Sequence, residues 1–321
     1  MPTAQSPPSD DPRRRLVGAI DAGRRIDEVV AEMLGIGRRA AVRLLDEVRR
    51  DGRRVRKGDR VAAGEEILLP RDPPGAEPAA GWGSPAPGGE DGSPVVVRST
   101  PDVLVVDKPA GLPSVALAGR RGPSLAAWAA RHDPACEGVG GAGENGLAHR
   151  LDGATSGLLL VGRNEDAWAD LRDQFSRREI EKTYLALVQG SPGDAVDVDA
   201  PVGRHPRSRR RMVAVVGARD PGRYAARPAY TRIETLARLD GFAVVRAVTS
   251  SGARHQVRVH LAHAGHPLAG DSLYGGDPLP GLDGFLLHAC ALRWREPGTR
   301  REATDESPRP ARWTEILDRL G

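Results

Sequence analysis

The chain has 321 residues, 39% hydrophobic and 28% charged, with a formal net charge of +4. That balance fits a globular protein with room for one large domain and a small one. The sequence holds no run of about 18 apolar residues, which argues against a transmembrane helix. Its only cysteines, Cys136 and Cys290, lie too far apart for a CxxC zinc or redox motif.

Residues 1–12 are rich in Pro, Ser and Asp and contain no apolar segment, so they read as a disordered tail rather than a signal peptide. With no disulfide framework, a reducing cytoplasm is the expected setting, and a monomer the default state. Residues 13–70 carry 15 Lys/Arg against 10 Asp/Glu, which leaves the rest of the chain close to neutral. A small basic module beside a near-neutral one suggests a polyanionic partner. Within it, Ile26, Val29, Val30, Met33 and Leu34 recur at helical spacing, as do Ala41, Leu44, Leu45 and Val48. Gly52, Gly58 and Gly64 then punctuate short segments that end in an apolar stretch at 66–69.

Residues 71–94 hold 12 Pro or Gly in 24 positions, a composition that cannot bury a core and marks a linker. The larger domain, 95–321, opens with strand-like runs at 95–97 and 103–106, followed by a helical segment at 124–130. A fully apolar strand is predicted at 157–161. Asn164 is placed to cap a helix whose apolar face is Ala167, Trp168, Leu171 and Phe175. Strands are predicted at 183–188, 212–216, 230–234 and 242–248. A late helix at 254–264 carries Val257, Leu261 and Ala264 on one face, with Gly265 as its stop. Many strands with few interspersed helices give an α+β class rather than a doubly wound sheet.

The most informative segment is His149-Arg150-Leu151-Asp152, set directly before the apolar strand. A polar cluster in that place puts Asp152 on a loop at a sheet edge, held by a rigid scaffold. Other motifs follow in order along the chain. They are 107–112 (DKPAGL), 181–184 (EKTY), 203–206 (GRHP), 254–261 (RHQVRVHL), 265–271 (GHPLAGD) and 286–289 (LLHA). Of 47 basic residues only Lys57, Lys108 and Lys182 are lysines, and the last two fall inside these motifs.

From about residue 95 to 295 this ordered set closely resembles the RluA-type pseudouridine synthases. The resemblance implies an α+β catalytic domain with a largely antiparallel or mixed sheet and a central cleft. It also implies isomerisation of uridine in RNA. The bond between ribose and uracil breaks, the base rotates, and a carbon–carbon bond forms. The family's catalytic aspartate maps onto Asp152, acting either as a nucleophile or as a base toward the sugar. By the same resemblance Arg258 is its ion-pair partner, Tyr184 stacks on the target base, and Leu287 forms part of the apolar wall. No metal or cofactor is required for an isomerisation. Lys108 and Pro109 brace the sheet.

A uridine in folded RNA must be flipped out, with basic residues holding the backbone. Arg150, Arg254 and the run 204–211, which includes Arg204, are the candidates. Arg254 and Arg258 lie one helical turn apart, which predicts a shared face. The family often has Arg where this chain has Ala253, so contacts borrowed from that position do not transfer. The N-terminal module resembles the small α-L RNA-binding fold of a ribosomal protein, with Arg38, Arg39 and Arg43 as candidate RNA contacts. Asp51-Gly52 stands where that fold usually has Asn-Gly. Large-subunit ribosomal RNA is the favoured target, with transfer RNA as the alternative. Two rivals differ in class. A non-catalytic RNA-binding or ribosome-assembly protein would share the basic features but has no use for Asp152, Tyr184 and Arg258 together. A metal hydrolase is suggested by His255, His260, His263 and His266, although no HExxH motif accompanies them.

Overall fold

The structure is a computed structural model and describes residues 14–18, 21–34, 41–42, 44–69, 92–116, 122–141, 143–217 and 221–320. Arg38, Arg39 and Arg43 lie outside the described residues, as does most of the expected linker. The chain divides into two compact units, Met1–Gly81 with Leu317–Gly321, and Trp82–Ile316.

In the first unit, strands β1 (Arg14–Leu16), β2 (Arg49–Arg50), β3 (Arg53–Arg54) and β4 (Glu66–Leu68) form an antiparallel sheet in the order β1-β4-β2-β3. Helix α1 (Ile26–Leu34) lends Ile26, Val29 and Val30 to the core of this unit. The expected second stripe is fully engaged as well, because Ala41, Leu44, Leu45 and Val48 are all buried. β2 and β3 are joined by Asp51 and Gly52, both with positive φ (46° and 76°), the signature of a two-residue primed turn. Asp51 is therefore a workable stand-in for the usual Asn, since both side chains tolerate this region.

The second unit is built on a nine-stranded sheet. Its strands are β5 (Val95–Ser99), β6 (Val103–Lys108), β7 (Ser156–Gly162), β8 (Glu181–Gln189), β9 (Ala195–Asp199), β12 (Tyr230–Leu239), β13 (Phe242–Thr249), β14 (Leu287–Arg295) and β15 (Glu302–Glu306). They run in the order β5-β6-β7-β14-β8-β13-β12-β9, with β15 also paired to β14. A separate hairpin pairs β10 (Val202–Arg204) with β11 (Met212–Ala214). Helices α2 (Leu125–His132), α3 (Glu165–Ser176), α4 (Gln256–His263) and α5 (Arg312–Leu320), with short 3-10 turns at Pro134–Cys136 and Pro221–Tyr224, complete the described elements. Among the described residues no helix is long and apolar enough to cross a membrane.

β7 shows why its sequence is apolar throughout. Successive strand residues point to opposite faces. Leu158 and Leu160 pack with Ala167 and Leu171 of α3, while Leu159 and Val161 pack with Leu125, Ala126 and Ala129 of α2. Both faces are covered, so every residue of the strand is buried. Truncating one of these leucines to alanine would cost about 2–5 kcal/mol. Asn164 caps α3 as expected, its side chain accepting from the Ala167 N–H at 2.8 Å.

The neighbours of β7 differ in kind. It runs antiparallel to β6 over six residue pairs but parallel to β14 over only two, Ser156 with His288 and Gly157 with Ala289. Beyond that point β14 pairs with β15 instead, from Ala291 to Arg295. Gly157 (φ 116°) permits the brief contact, since a Cβ there would lie 2.3 Å from the Ala289 carbonyl oxygen. The loop carrying Asp152 enters β7 at this junction.

Candidate active site

Two loops hold Asp152 in place. Lys108, at the end of β6, is completely buried and donates to the carbonyls of Pro109 (2.9 Å), Leu112 (2.8 Å) and Gly153 (3.3 Å). Its three N–H groups are thereby all used. Burial pushes its pKa down to about 8, against the opposing pull of Asp152 and Asp107. The Ser114 hydroxyl donates to Leu151 O at 2.8 Å and accepts from Leu151 N at 3.0 Å. Gly111 N donates to Gly153 O, and Thr155 N to Asp152 O.

Side chains of the His149–Asp152 segment alternate in direction. His149 turns inward, where Nε2 accepts from Leu160 N–H at 3.1 Å and the ring meets Phe175 at 4.4 Å. Burial, with the charges of Lys182 and Arg172, lowers its pKa to about 3, so the ring is neutral. Arg150 is exposed and the partly buried Leu151 packs against the core. Asp152 turns toward α4.

There Arg258 donates through Nη1 to Asp152 Oδ2 at 2.9 Å. The rest of its guanidinium forks onto Asp271, with Nε to Oδ2 at 2.7 Å and Nη2 to Oδ1 at 2.8 Å. The group lies against the Tyr274 ring (5.0 Å) and the Phe285 ring (4.5 Å). Burial alone would lower the Arg258 pKa, but the hydrogen bonds and charges of Asp271 and Asp152 hold it above its ordinary value. One cation thus serves two carboxylates, and their exposures differ. The side chain of Asp271 is 2% exposed and that of Asp152 is 27% exposed. Only Asp152 is open to an incoming molecule, and the triad carries a net charge of minus one.

Tyr184 of β8 is buried and lies opposite two small residues, Ala289 on one side and Ala247 on the other. It shares a core with Leu287 and Phe285, against which Leu151 and Ala154 pack from the Asp152 loop. Burial and the Asp152 charge both push its hydroxyl pKa up. β14 is bulged between Ala289 and Ala291, directly opposite Tyr184 and Thr183. Bulges at such places re-aim neighbouring side chains.

The predicted residues therefore divide. Asp152 and Arg258 form one ion pair, and Tyr184 and Leu287 line the core beside their loop. Arg150 and Arg204 are exposed, with no side-chain hydrogen bond or ion pair among the described residues. The predicted shared face of Arg254 and Arg258 is not found. α4 begins at Gln256, and His255 before it has φ 57°, so Arg254 precedes the helix. The change of backbone direction sends Arg254 outward, where Nη1 reaches Arg209 O at 3.4 Å, while Arg258 turns inward. The four histidines do not converge either. His260 donates from Nε2 to Ala200 O and accepts at Nδ1 from Thr231, while His266 donates to Gln189 O. Among the described residues no group of three or more His, Cys, Asp or Glu side chains gathers to hold a metal ion.

The sequence reading missed Asp271 and Tyr274 as partners of Arg258. Asp271 closes the 265–271 motif, thirteen residues after Arg258. A buried acid in an otherwise apolar and glycine-rich stretch is the signal that points to it.

Comparison with known proteins identifies the family. The RNA pseudouridylate synthase family matches residues 102–263. An uncharacterised RNA pseudouridine synthase of Mycobacterium bovis is 34% identical over 305 residues, covering 90% of this chain and 92% of the relative. The ribosomal large subunit pseudouridine synthase D of Xanthomonas campestris is 33% identical over 326 residues, covering 96% and 91%. Among solved structures, human RNA pseudouridylate synthase domain containing 4 shares the fold, with a TM-score of 0.54 at 23% identity over 70% of this chain and 92% of that one. The chain belongs to the RNA pseudouridine synthases of the RluA type, isomerases that act on uridine within RNA.

Proposed function

We propose that this enzyme isomerises one or a few uridines of large-subunit ribosomal RNA, with Asp152 as the catalytic carboxylate. The observation that carries the reading is the shared guanidinium. Arg258 is held rigidly by buried Asp271 and grips one oxygen of the partly exposed Asp152. A carboxylate gripped by a fixed cation and still partly exposed suits attack on the sugar or removal of its proton. The flipped uracil would stack on Tyr184 with Leu287 beside it, and Arg258 would hold the Asp152 carboxylate in place. The ribosomal target is taken from the Xanthomonas relative, a ribosomal large subunit pseudouridine synthase D that aligns with nearly the whole chain.

The β10–β11 hairpin supports the RNA role. Its turn carries Arg207, Arg209, Arg210 and Arg211, all exposed, and Arg254 adjoins it. In the first unit, Arg53, Arg54, Arg56 and Lys57 are exposed around the Asp51-Gly52 turn, which fits an RNA-binding module at residues 13–70 joined by a linker at 71–94. We place the enzyme in the cytoplasm, consistent with the free thiols of Cys136 and Cys290.

The test maps pseudouridine by chemical modification and primer extension in ribosomal and transfer RNA from cells lacking the protein. Sites lost from large-subunit RNA and restored by wild type but not by Asp152→Asn support the reading. Loss confined to transfer RNA overturns the target, and no loss in either overturns both.

A further inference from the structure

Arg258 engages only one oxygen of Asp152, Oδ2. The other, Oδ1, faces His255, whose Nε2 lies 3.7 Å away. His255 sits at the N-cap of α4 in the left-handed region, with φ 57° and ψ 19°, and makes no capping hydrogen bond with its side chain. A residue with a Cβ costs about 1–2 kcal/mol there, and Gly or Asn would fit more easily. The ring is instead largely buried and held from its far edge. Nδ1 lies 2.7 Å from the Tyr274 hydroxyl, which also accepts from the Met212 N–H at 2.9 Å.

These contacts assign the protons. Tyr274 is buried, and its hydroxyl has one hydrogen to give. Met212 donates to the oxygen, and among the described residues His255 Nδ1 is the one acceptor found for the hydroxyl hydrogen, so we assign that hydrogen to it. The neutral imidazole then carries its own hydrogen on Nε2, the edge that faces Asp152. Arg254 Nε stands 3.4 Å from the same nitrogen, a long contact from an exposed side chain that competes weakly.

We infer that His255 and Tyr274 are positioning residues, with the Tyr274 hydroxyl fixing the imidazole and the imidazole orienting Oδ1 of Asp152 while Arg258 orients Oδ2. The inference rests on the reading of Asp152 given above. A carboxylate free to rotate offers either oxygen in many directions, whereas one held at both offers a single approach. The same contacts run through Met212 to the start of β11, so the seat of the arginine hairpin and the orientation of Asp152 share one hydroxyl. Arg211 lies 6.0 Å over the Tyr274 ring, which adds to that link.

The charge state of the ring matters. Around it stand Asp152 from the catalytic loop, Arg254 and Arg258 from α4 and its approach, and Asp271 and Tyr274 from the segment after α4. Burial depresses the imidazole pKa, Asp152 opposes this, and Arg258 and Arg254 assist it. A neutral ring orients the carboxylate without neutralising it. An imidazolium beside Arg258 would make Asp152 a weaker base and nucleophile.

Two variants test the proposal on the full-length enzyme with a ribosomal RNA transcript. His255→Asn keeps a residue that tolerates the left-handed backbone. It should unfold at the same or higher denaturant concentration and leave KM within about twofold, while kcat falls about 10- to 100-fold. A merely structural histidine would lose stability and activity together. Tyr274→Phe frees Nδ1 to accept a proton, so the acid-side loss of kcat should move to higher pH, and adding His255→Asn should abolish that movement. Wild-type kcat in His255→Asn, activity lost in step with stability, or an unmoved acid limb in Tyr274→Phe would each overturn the inference. Wild type and Asp152→Asn in the same assay separate the two claims. Turnover by Asp152→Asn, or none by wild type, refutes the reading of Asp152 rather than the positioning role.

Discussion

Arg258 and Asp271 form a two-pronged ion pair that is almost wholly buried, and Asp152 hangs from the one N–H edge this pair leaves over. The orientation of Asp152 therefore depends on a residue that never meets solvent. Asp271→Asn removes a charge but little volume. It should loosen the guanidinium, lower stability by about 1–3 kcal/mol, and reduce kcat far more than it raises KM. Denaturant melts alongside steady-state kinetics check this, and an unchanged kcat would show that Arg258 is held by other means.

Arg258→Lys keeps the charge and loses the fork. An ammonium cannot reach three carboxylate oxygens in one plane. We expect a kcat at least about a hundredfold lower, in line with the sensitivity of catalysis to misplacement of about 1 Å. Single-turnover rates at saturating enzyme measure this directly.

Mild acid should destabilise the fold through its buried histidines. His149, His260 and His288 all have folded-state pKa values below the ordinary 6.5, chiefly through burial, and that of His149 is about 3. Their neutral forms are the ones the structure holds. His288, for example, bonds Ser156 Oγ at Nδ1 and Ser307 O at Nε2. The stability they contribute is therefore complete above pH 6.5 and fades as pH falls through 6.5 toward the folded values. Each ring contributes up to about 1.4 kcal/mol per pH unit in that window. Melting temperature should drop between pH 7 and 5, and a flat profile would contradict the assignment.

Replacing Arg207, Arg209 and Arg210 together by Ser should weaken RNA binding at low salt. Each phosphate contact removed should flatten the dependence of log K on log salt by about 0.7–0.9. Filter binding across a salt series checks the slope, and an unchanged slope would place the RNA path elsewhere.

Much of this site could be read from local sequence. Asp152 stood out because a polar tetrapeptide abuts an apolar strand, and that strand is buried on both faces. Asn164 and Gly265 mark helix ends through chemistry confined to one turn. Arg258 was legible through resemblance alone, since the spacing from Arg254 suggested a common face that the left-handed His255 breaks. Asp271 and Tyr274 acquire their roles only in three dimensions, from a segment with no periodic pattern. β9 and β15 are short and rich in acids, AVDVD and EATDE, and on sequence alone such charged segments pass for loops. β14 escaped for a different reason. Its extra residue, Cys290, shifts the alternation halfway along the strand.

The most direct test of the central claim compares purified wild type and Asp152→Asn on a ribosomal RNA transcript labelled with tritium at C5 of uridine. Forming the new bond at C5 displaces that hydrogen, so tritium release into water reports isomerisation. The account predicts release by wild type and none by Asp152→Asn, with both proteins equally folded and similar in RNA affinity. Release by Asp152→Asn at a rate near wild type would contradict it.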